Sequence, residues 1–321
     1  SKQQFSELPM PGRHLVDLDT YKYSIDGFNA TSLIAQLGCP FHCTFCSGRN
    51  SPFLRKIRQR SSESVLKEIE FLHKEYGFTG FMFYDDELNV NRNMVEMMNM
   101  IADYQEANDV EFRLRGFVKA ELFKDEQAKA MVNAGFRWLL TGFESGDERI
   151  LQNIKKRATK DDNTRCIEIA KRHGLKVKAL MSIGHAGESA QSVENTKQWL
   201  IETEPEEFDC TIITTYPGSP YFDDAIREGK HYVYSDPKNG DKLYQASLDY
   251  LTQLDFYKGD PEDGYISYVW TEHLSGDDLV VLRGALEDEV REKLNISFNP
   301  SRPGITYEHS MGQSAIPASI L

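Results

Sequence analysis

The sequence predicts an α/β fold: a partial, TIM-like (β/α)6 barrel with an N-terminal strap and a C-terminal α+β extension. Three observations predict it. Six short apolar runs alternate with helix-like segments between residues 32 and 228, and such alternation builds a parallel sheet with right-handed crossovers. Several of the runs end in polar or glycine-containing turns, as strands do when their C-terminal ends carry chemistry. The chain has 321 residues, 40% of them hydrophobic, enough for one large α/β domain with appendages, and six units leave open a barrel that eight would close.

The elements follow in order. Residues 1–30 are polar, with Leu8-Pro9-Met10-Pro11 and then His14 to Tyr21. Prolines this close favour extended chain, so this stretch reads as a strap. Residues 31–229 form the barrel and residues 230–321 the extension. Ser32–Leu37 is the first strand. Ser61 to Ser64 caps a helix carrying Val65, Ile69 and Leu72 and ending at Gly77. Gly80 to Asp86 is a buried strand ending in carboxylates. A helix from Arg92 to Gln105 leads to the strand Val110–Arg115. Asp125 to Asn133 is a helix stopped by Gly135. Phe136–Gly142 is the fourth strand, followed by helices at Glu148–Ile154 and Asp161–Arg172. Val177–Ile183 is the fifth strand, Ser189–Thr203 its helix, Phe208–Thr214 the sixth strand and Ser219–Glu228 the sixth helix. Beyond residue 230, Tyr232, Tyr234, Tyr244, Tyr250, Phe256, Tyr257, Tyr265, Tyr268 and Trp270 crowd a stretch read as turns, short strands and a lid. Ser275–Leu294 is an amphipathic helix.

Composition narrows the function classes. A net charge of −13 disfavours a phosphate-backbone partner, so no nucleic acid is expected. No apolar run reaches membrane-spanning length, and no signal-peptide pattern opens the chain. Five cysteines, three of them clustered, argue for a reducing, cytoplasmic setting over a disulfide framework. Cys166 and Cys210 stand alone and read as core thiols, with a radical-quenching role open for Cys210.

The clustered thiols sit in Cys39-Pro-Phe-His-Cys43-Thr-Phe-Cys46. Thiolates bind zinc and iron–sulfur centres. A structural zinc site is closed by four ligands, and the candidate fourth here is His42, poorly placed inside the loop. Three cysteines on a cubane cluster leave one iron open.

This C-x3-C-x2-C spacing, with Phe45 before the last cysteine, resembles the signature of the radical S-adenosylmethionine (radical SAM) enzymes. The resemblance runs from about Thr31 to Tyr221. It implies a 4Fe-4S cluster on Cys39, Cys43 and Cys46, and SAM held on the open iron by its amino and carboxylate groups. One electron then splits SAM into methionine and a 5′-deoxyadenosyl radical. Tyr84-Asp85-Asp86-Glu87 stands where the family grips the SAM ammonium, without the usual glycines, and Asp85 and Asp86 are the candidates. Thr141-Gly-Phe-Glu-Ser145 is similar to the ribose motif, with Glu144 on the hydroxyls and Ser145 assisting. Arg157, or alternatively Lys156, stands where a basic residue meets the SAM carboxylate. Ser182-Ile183-Gly-His-Ala-Gly-Glu188 resembles the adenine-bracketing segment.

Four further residues are expected at the substrate. Arg113 and Arg115 share one strand face, and an arginine turned into a barrel without an anion is costly; they suit SAM or an acidic substrate group. His185 departs from the usual apolar residue and suits a hydrogen bond or proton transfer near neutral pH. Tyr216 suits a cover. The resulting expectation is hydrogen abstraction from a small molecule, a sugar or nucleoside in natural-product biosynthesis, with flavodoxin or ferredoxin as one-electron donor. The alternatives are a cobalamin-linked methyltransferase, since the strap resembles the linker before the radical domain of that class, and a non-catalytic metal–thiolate sensor.

Overall fold

A two-residue left-handed turn, Asp26-Gly27 with φ of +47° and +86°, starts the sheet. Such a turn matches the twist of the hairpin it joins, here β1 (Ser24–Ile25) with β2 (Phe28–Leu33). The computed structural model describes residues 5–247 and 266–297. A two-residue pair, β3 (Gln36–Leu37) with β4 (Arg58–Gln59), follows. Then come β5 (Gly80–Phe83), β6 (Arg113–Phe117), β7 (Phe136–Glu144), β8 (Lys176–Ile183) and β9 (Glu207–Ile212). The main sheet runs β1-β2-β5-β6-β7-β8-β9. From β2 to β9 every neighbouring pair is parallel, so the six parallel strands of the expected open barrel are present.

Side-chain alternation sorts the sheet into two faces. Phe81, Phe83, Leu114, Leu139, Phe143, Val177, Ala179, Met181, Ile183, Phe208 and Ile212 belong to the large core shared with the helices. Ala30, Met82, Trp138 and Leu140, with Tyr84, Phe117 and Leu180 against them, form a separate cluster inside the barrel. The helices present matching stripes. Ser62–Tyr76, capped by Ser61 and ended by left-handed Gly77, buries Val65, Ile69 and Leu72. At about 1.5–3 kcal/mol per buried large aliphatic or aromatic side chain, this outer layer dominates the stability.

Two expectations change. The first strand is Phe28–Leu33 rather than Ser32–Leu37. Tyr84 N donates to Leu33 O at 2.9 Å, and Asp85 Oδ2 then takes Ala35 N at 3.2 Å, which draws the chain off the sheet toward the cysteine loop. The sixth helix is also different. Only Pro220–Asp223 is helical, and Ile226–Glu228 becomes β10, paired with β11 (His231–Ser235). That antiparallel sheet continues through β12 (Lys242–Ala246) and β13 (Val269–Thr271). Gly276–Leu294, capped by Ser275, lies on β9 and on the helix Ala190–Thr203 and so fills the place of the sixth crossover helix. The tyrosines and phenylalanine expected at 250, 256, 257 and 265, and the tail beyond residue 297, lie outside the described residues. Among the described residues no helix is long and apolar enough to cross a membrane.

Candidate functional site

The cysteine loop is a closed excursion from the end of β2. Its base is the β3–β4 pair, and Cys39 N donates to Leu54 O at 3.1 Å. Gly38 stands at the pinch with φ +89°, and a Cβ there would lie 2.3 Å from Lys56 O. Arg49, buried within the loop, donates from Nη1 to the carbonyls of Cys39 (2.6 Å) and Phe41 (3.3 Å). Thr44 N donates to Ile154 O at 3.0 Å, while Asn50 N reaches Gly218 O at 3.2 Å, so the end of the helix Glu148–Asn153 and the turn after β9 both clasp the loop. Phe45 packs on Ile150, Leu151 and Ile154 and meets the His185 ring edge-on, centroids 5.3 Å apart.

The loop's donor set fits an anionic metal–thiolate centre. Burial pushes all three thiols up, Cys46 to about 11 against the pull of Arg49, so they need a metal to stand as thiolates. The cations acting on them are buried: Lys156 and Lys119 lower Cys43, and Arg49 lowers Cys39 and Cys46. Among the described residues no three His, Cys, Asp or Glu side chains gather tightly enough for a single metal ion. His42 is exposed, with Arg55 Nη2 at 2.5 Å from its Nε2, and so makes no closed zinc site with the thiols.

A second constellation stands at the ends of β7 and β8. Lys156 Nζ lies 3.1 Å from Glu144 Oε1. Ser182 Oγ donates to Glu144 Oε2 at 2.8 Å and lies 2.8 Å from His185 Nε2. Glu144 has φ +66° at a break in the β7–β8 register. A left-handed non-glycine residue is a strained position that the surroundings must enforce. Gly142 supplies the room, since a Cβ there would lie 2.4 Å from Glu144 Oε1. Burial works against the Lys156 charge, but Glu144, the Cys43 thiol and Glu87 outweigh it and hold the ammonium above its ordinary pKa. Burial pushes Glu87 up to about 7 although Lys156 and Lys119 oppose it. His185 Nδ1 is buried without a hydrogen-bond partner among the described residues. The arrangement therefore offers a carboxylate, an ammonium and unspent hydrogen-bonding capacity beside the thiols, as a zwitterionic ligand requires.

The other expected residues fall in varied places. Asp85 is buried on Ala35 N, and Asp86 Oδ2 takes Gly38 N at 2.8 Å. Both hold the backbone that leads into the loop, and of their tetrapeptide it is Glu87 whose carboxyl senses Lys156 and Glu144. Arg157 is exposed, near His42, whereas Lys156 is buried at 5% exposure between two left-handed residues, Lys155 and Arg157. Ser145 Oγ bonds Thr196 Oγ1 at 3.1 Å and takes Asp147 N, tying β7 to the helix Ala190–Thr203. Ile183 sits in the outer core, and Ser182 faces inward. Arg113 opens β6 at the far end, paired with Glu111 and stacked on Phe28. Arg115 lies inside the barrel at 0% exposure. Burial pushes the His185 imidazole down to about 4, so it is neutral at pH 7 and does not suit proton transfer there. Tyr216 is half-buried in the turn after β9, its carbonyl accepting Ser219 N at 3.1 Å. Cys166 and Cys210 are buried on the outer face. Cys210 is held by Glu287 Oε1 on its N and Arg283 Nε on its O, away from the mouth, which removes the quenching reading.

Sequence reasoning missed Lys119 and Arg49. Lys119 is clamped by two reciprocal bonds with Asn89, both 2.9 Å, and its Nζ meets Lys156 O at 3.0 Å and Glu121 at 2.9 Å. Its position just past a strand end was the available signal.

A family model described as the Radical SAM superfamily matches residues 33–200. The chain is 31% identical to an uncharacterized methyltransferase of Pyrococcus horikoshii, over 70% of this chain and 48% of the relative. It is 25% identical to a putative methylthiotransferase of Methanocaldococcus jannaschii, over 74% of this chain and 51% of the relative. The chain thus spans about half the length of these curated relatives. Its fold is similar to that of the radical SAM methyltransferase TsrM of Kitasatospora setae, with TM-score 0.59 and 18% identity over 85% of this chain and 52% of that one.

Proposed function

This chain belongs to the radical SAM superfamily, and on that premise we propose that it is the radical-forming unit of an enzyme that methylates a small molecule, with cobalamin as methyl carrier. The superfamily's cofactors are a 4Fe-4S cluster and SAM. When bound, they supply one-electron cleavage of a carbon–sulfur bond. Cys39, Cys43 and Cys46 would hold the cluster. Arg49 fixes the loop that carries them. Lys156 would take the SAM carboxylate, Glu144 a ribose hydroxyl or the ammonium, and Ser182 keeps the Glu144 carboxylate aimed. The inward apolar cluster excludes water beneath them.

The observation that carries the reading is the buried Lys156–Glu144 pair, whose ammonium acts on the Cys43 thiol. The methyl-transfer step draws on the relatives' names, which support it over hydrogen abstraction from a sugar or nucleoside. The carrier draws on a TsrM structure described with cobalamin and a 4Fe-4S cluster bound. The electron would come from a donor of the flavodoxin or ferredoxin class. The test is anaerobic: reconstitute with iron and sulfide, add SAM, a low-potential reductant and hydroxocobalamin, whose reduced form can take the methyl of one SAM and leave S-adenosylhomocysteine, and measure that product and 5′-deoxyadenosine beside Cys43→Ala. Both products, lost in the variant, support the proposal. Deoxyadenosine without methyl consumption turns it toward hydrogen abstraction alone. A protein that takes up zinc and cleaves no SAM sinks it.

A further inference from the structure

Arg115 is the anomaly of the barrel interior. It sits in mid-β6, between Met82 of β5 and Trp138 of β7, at 0% exposure. Its Nε, Nη1 and Nη2 make no well-aligned hydrogen bond and no ion pair among the described residues; the neutral Tyr23 hydroxyl is the one side chain within hydrogen-bonding reach. The surrounding wall is apolar and aromatic: Met82, Tyr84, Phe117, Trp138 and Leu140. The polar groups that face it are Tyr23, Tyr84 and Asp209. The Tyr23 hydroxyl, also buried, stands within hydrogen-bonding reach of the guanidinium but brings no charge to it. Asp209 is already engaged, by Lys178 at 2.9 Å and Arg291 at 3.7 Å.

A guanidinium cannot shed its charge, so burial without a counterion is a standing cost. Its planar fork has one natural complement, a group presenting two coplanar anionic oxygens. Every other buried cation of the region has such a partner or a carbonyl: Lys156 has Glu144, Lys119 has Glu121, and Lys178 has Asp209. Tyr84 is the shared wall between Arg115 and a cavity of about 590 Å³ beneath the strap, lined also by Leu8, Met10, Arg13, Leu33 and Glu68.

We propose that Arg115 is the anchor for an oxyanion, a carboxylate or phosphate, of a substrate with an apolar body that lies in the barrel against Trp138, Tyr84 and Phe117. The proposal rests on the barrel interior being the substrate chamber, as the function proposed above requires. Its test does not depend on SAM cleavage. The chain as reconstituted is titrated calorimetrically with benzoate, phenyl phosphate and the neutral benzamide, in the wild type and in Arg115→Met. An anchoring guanidinium gives one of the two anions about a tenfold advantage over benzamide, and Arg115→Met removes it. Which anion wins tells carboxylate from phosphate. The unliganded variant should also melt higher than the wild type, because the uncompensated charge is gone. If Arg115→Met does not fold, Arg115→Lys is read instead, with the advantage cut at least threefold by loss of the fork. Equal binding of all three probes, no binding of any, or an anion preference that survives the substitution overturns the proposal. Failure of deoxyadenosine formation with the anion preference intact would count against the radical reading alone.

Discussion

Lys156 Nζ stands 3.1 Å from Glu144 Oε1, and both residues are held there by left-handed backbone: Glu144 itself at φ +66°, and Lys156 by its neighbours at +52° and +66°. The pair is nearly dry, with side-chain exposures of 6% and 13%. Breaking a buried pair from one side leaves the other charge uncompensated and costs about 3–5 kcal/mol in the driest cases. Lys156→Met should therefore lower the unfolding free energy by about 2–4 kcal/mol in urea titration. It should also abolish SAM binding measured by equilibrium dialysis. Retained SAM affinity would show that the carboxylate of SAM finds another cation.

Gly38 tests the loop. Its φ of +89° and the 2.3 Å approach of a Cβ to the Lys56 carbonyl leave no room for a side chain. The obstruction is backbone, so it cannot rotate away. Gly38→Ala should open the base of the loop, leaving the barrel folded by circular dichroism while iron incorporated on reconstitution falls by at least about half. Gly174→Ala, at a left-handed position with open space around its Cβ, is the control: it costs about 1 kcal/mol and spares iron.

The thiols divide by face. Cys43→Ser and Cys46→Ser should lose cluster absorbance and iron with little change in melting temperature. Cys210→Ser should do the reverse, because a hydroxyl would enter an apolar site on the outer face where burial is complete. The expected cost there is about 1–3 kcal/mol. Iron loss in Cys210→Ser without destabilisation would contradict this division.

The barrel and the cysteine loop were legible because both are written locally. Alternation of apolar runs with capped helices needs no long-range information, and the three thiols lie within eight residues. What was not legible depends on backbone twist and distant partners. Arg157 carries the more obvious side chain, but the left-handed residues on both sides of Lys156 accompany the burial of the lysine and the exposure of the arginine. Asp85 and Asp86 read as ligands from their strand end, yet they are spent on Ala35 and Gly38 amides some fifty positions earlier. The helix over β9 comes from residues 276–294, far along the chain, and no local pattern says that 226–228 will pair as a strand.

The pH dependence of stability follows from four buried groups. Burial raises Asp85, Glu87 and Glu188 to about 7, and burial lowers His185 to about 4. A carboxyl whose folded pKa is raised stabilises the native state fully below its unfolded value, near 4, and loses that contribution as pH rises toward 7. A histidine whose folded pKa is lowered works the other way, costing stability as pH falls below about 6.5. Between pH 8 and pH 6 each carboxyl gains about one unit's worth, ~1.4 kcal/mol, and the histidine gives back somewhat under 1 kcal/mol. The apoprotein should thus be about 3 kcal/mol more stable at pH 6 than at pH 8 in urea titration. Asp85→Asn keeps the carbonyl acceptor for Ala35 N and removes the titration. It should therefore flatten the profile by about 1.4 kcal/mol over the same range. Stability that climbs steadily from pH 6 to pH 8 in the wild type would show that these carboxyls are charged in the folded protein.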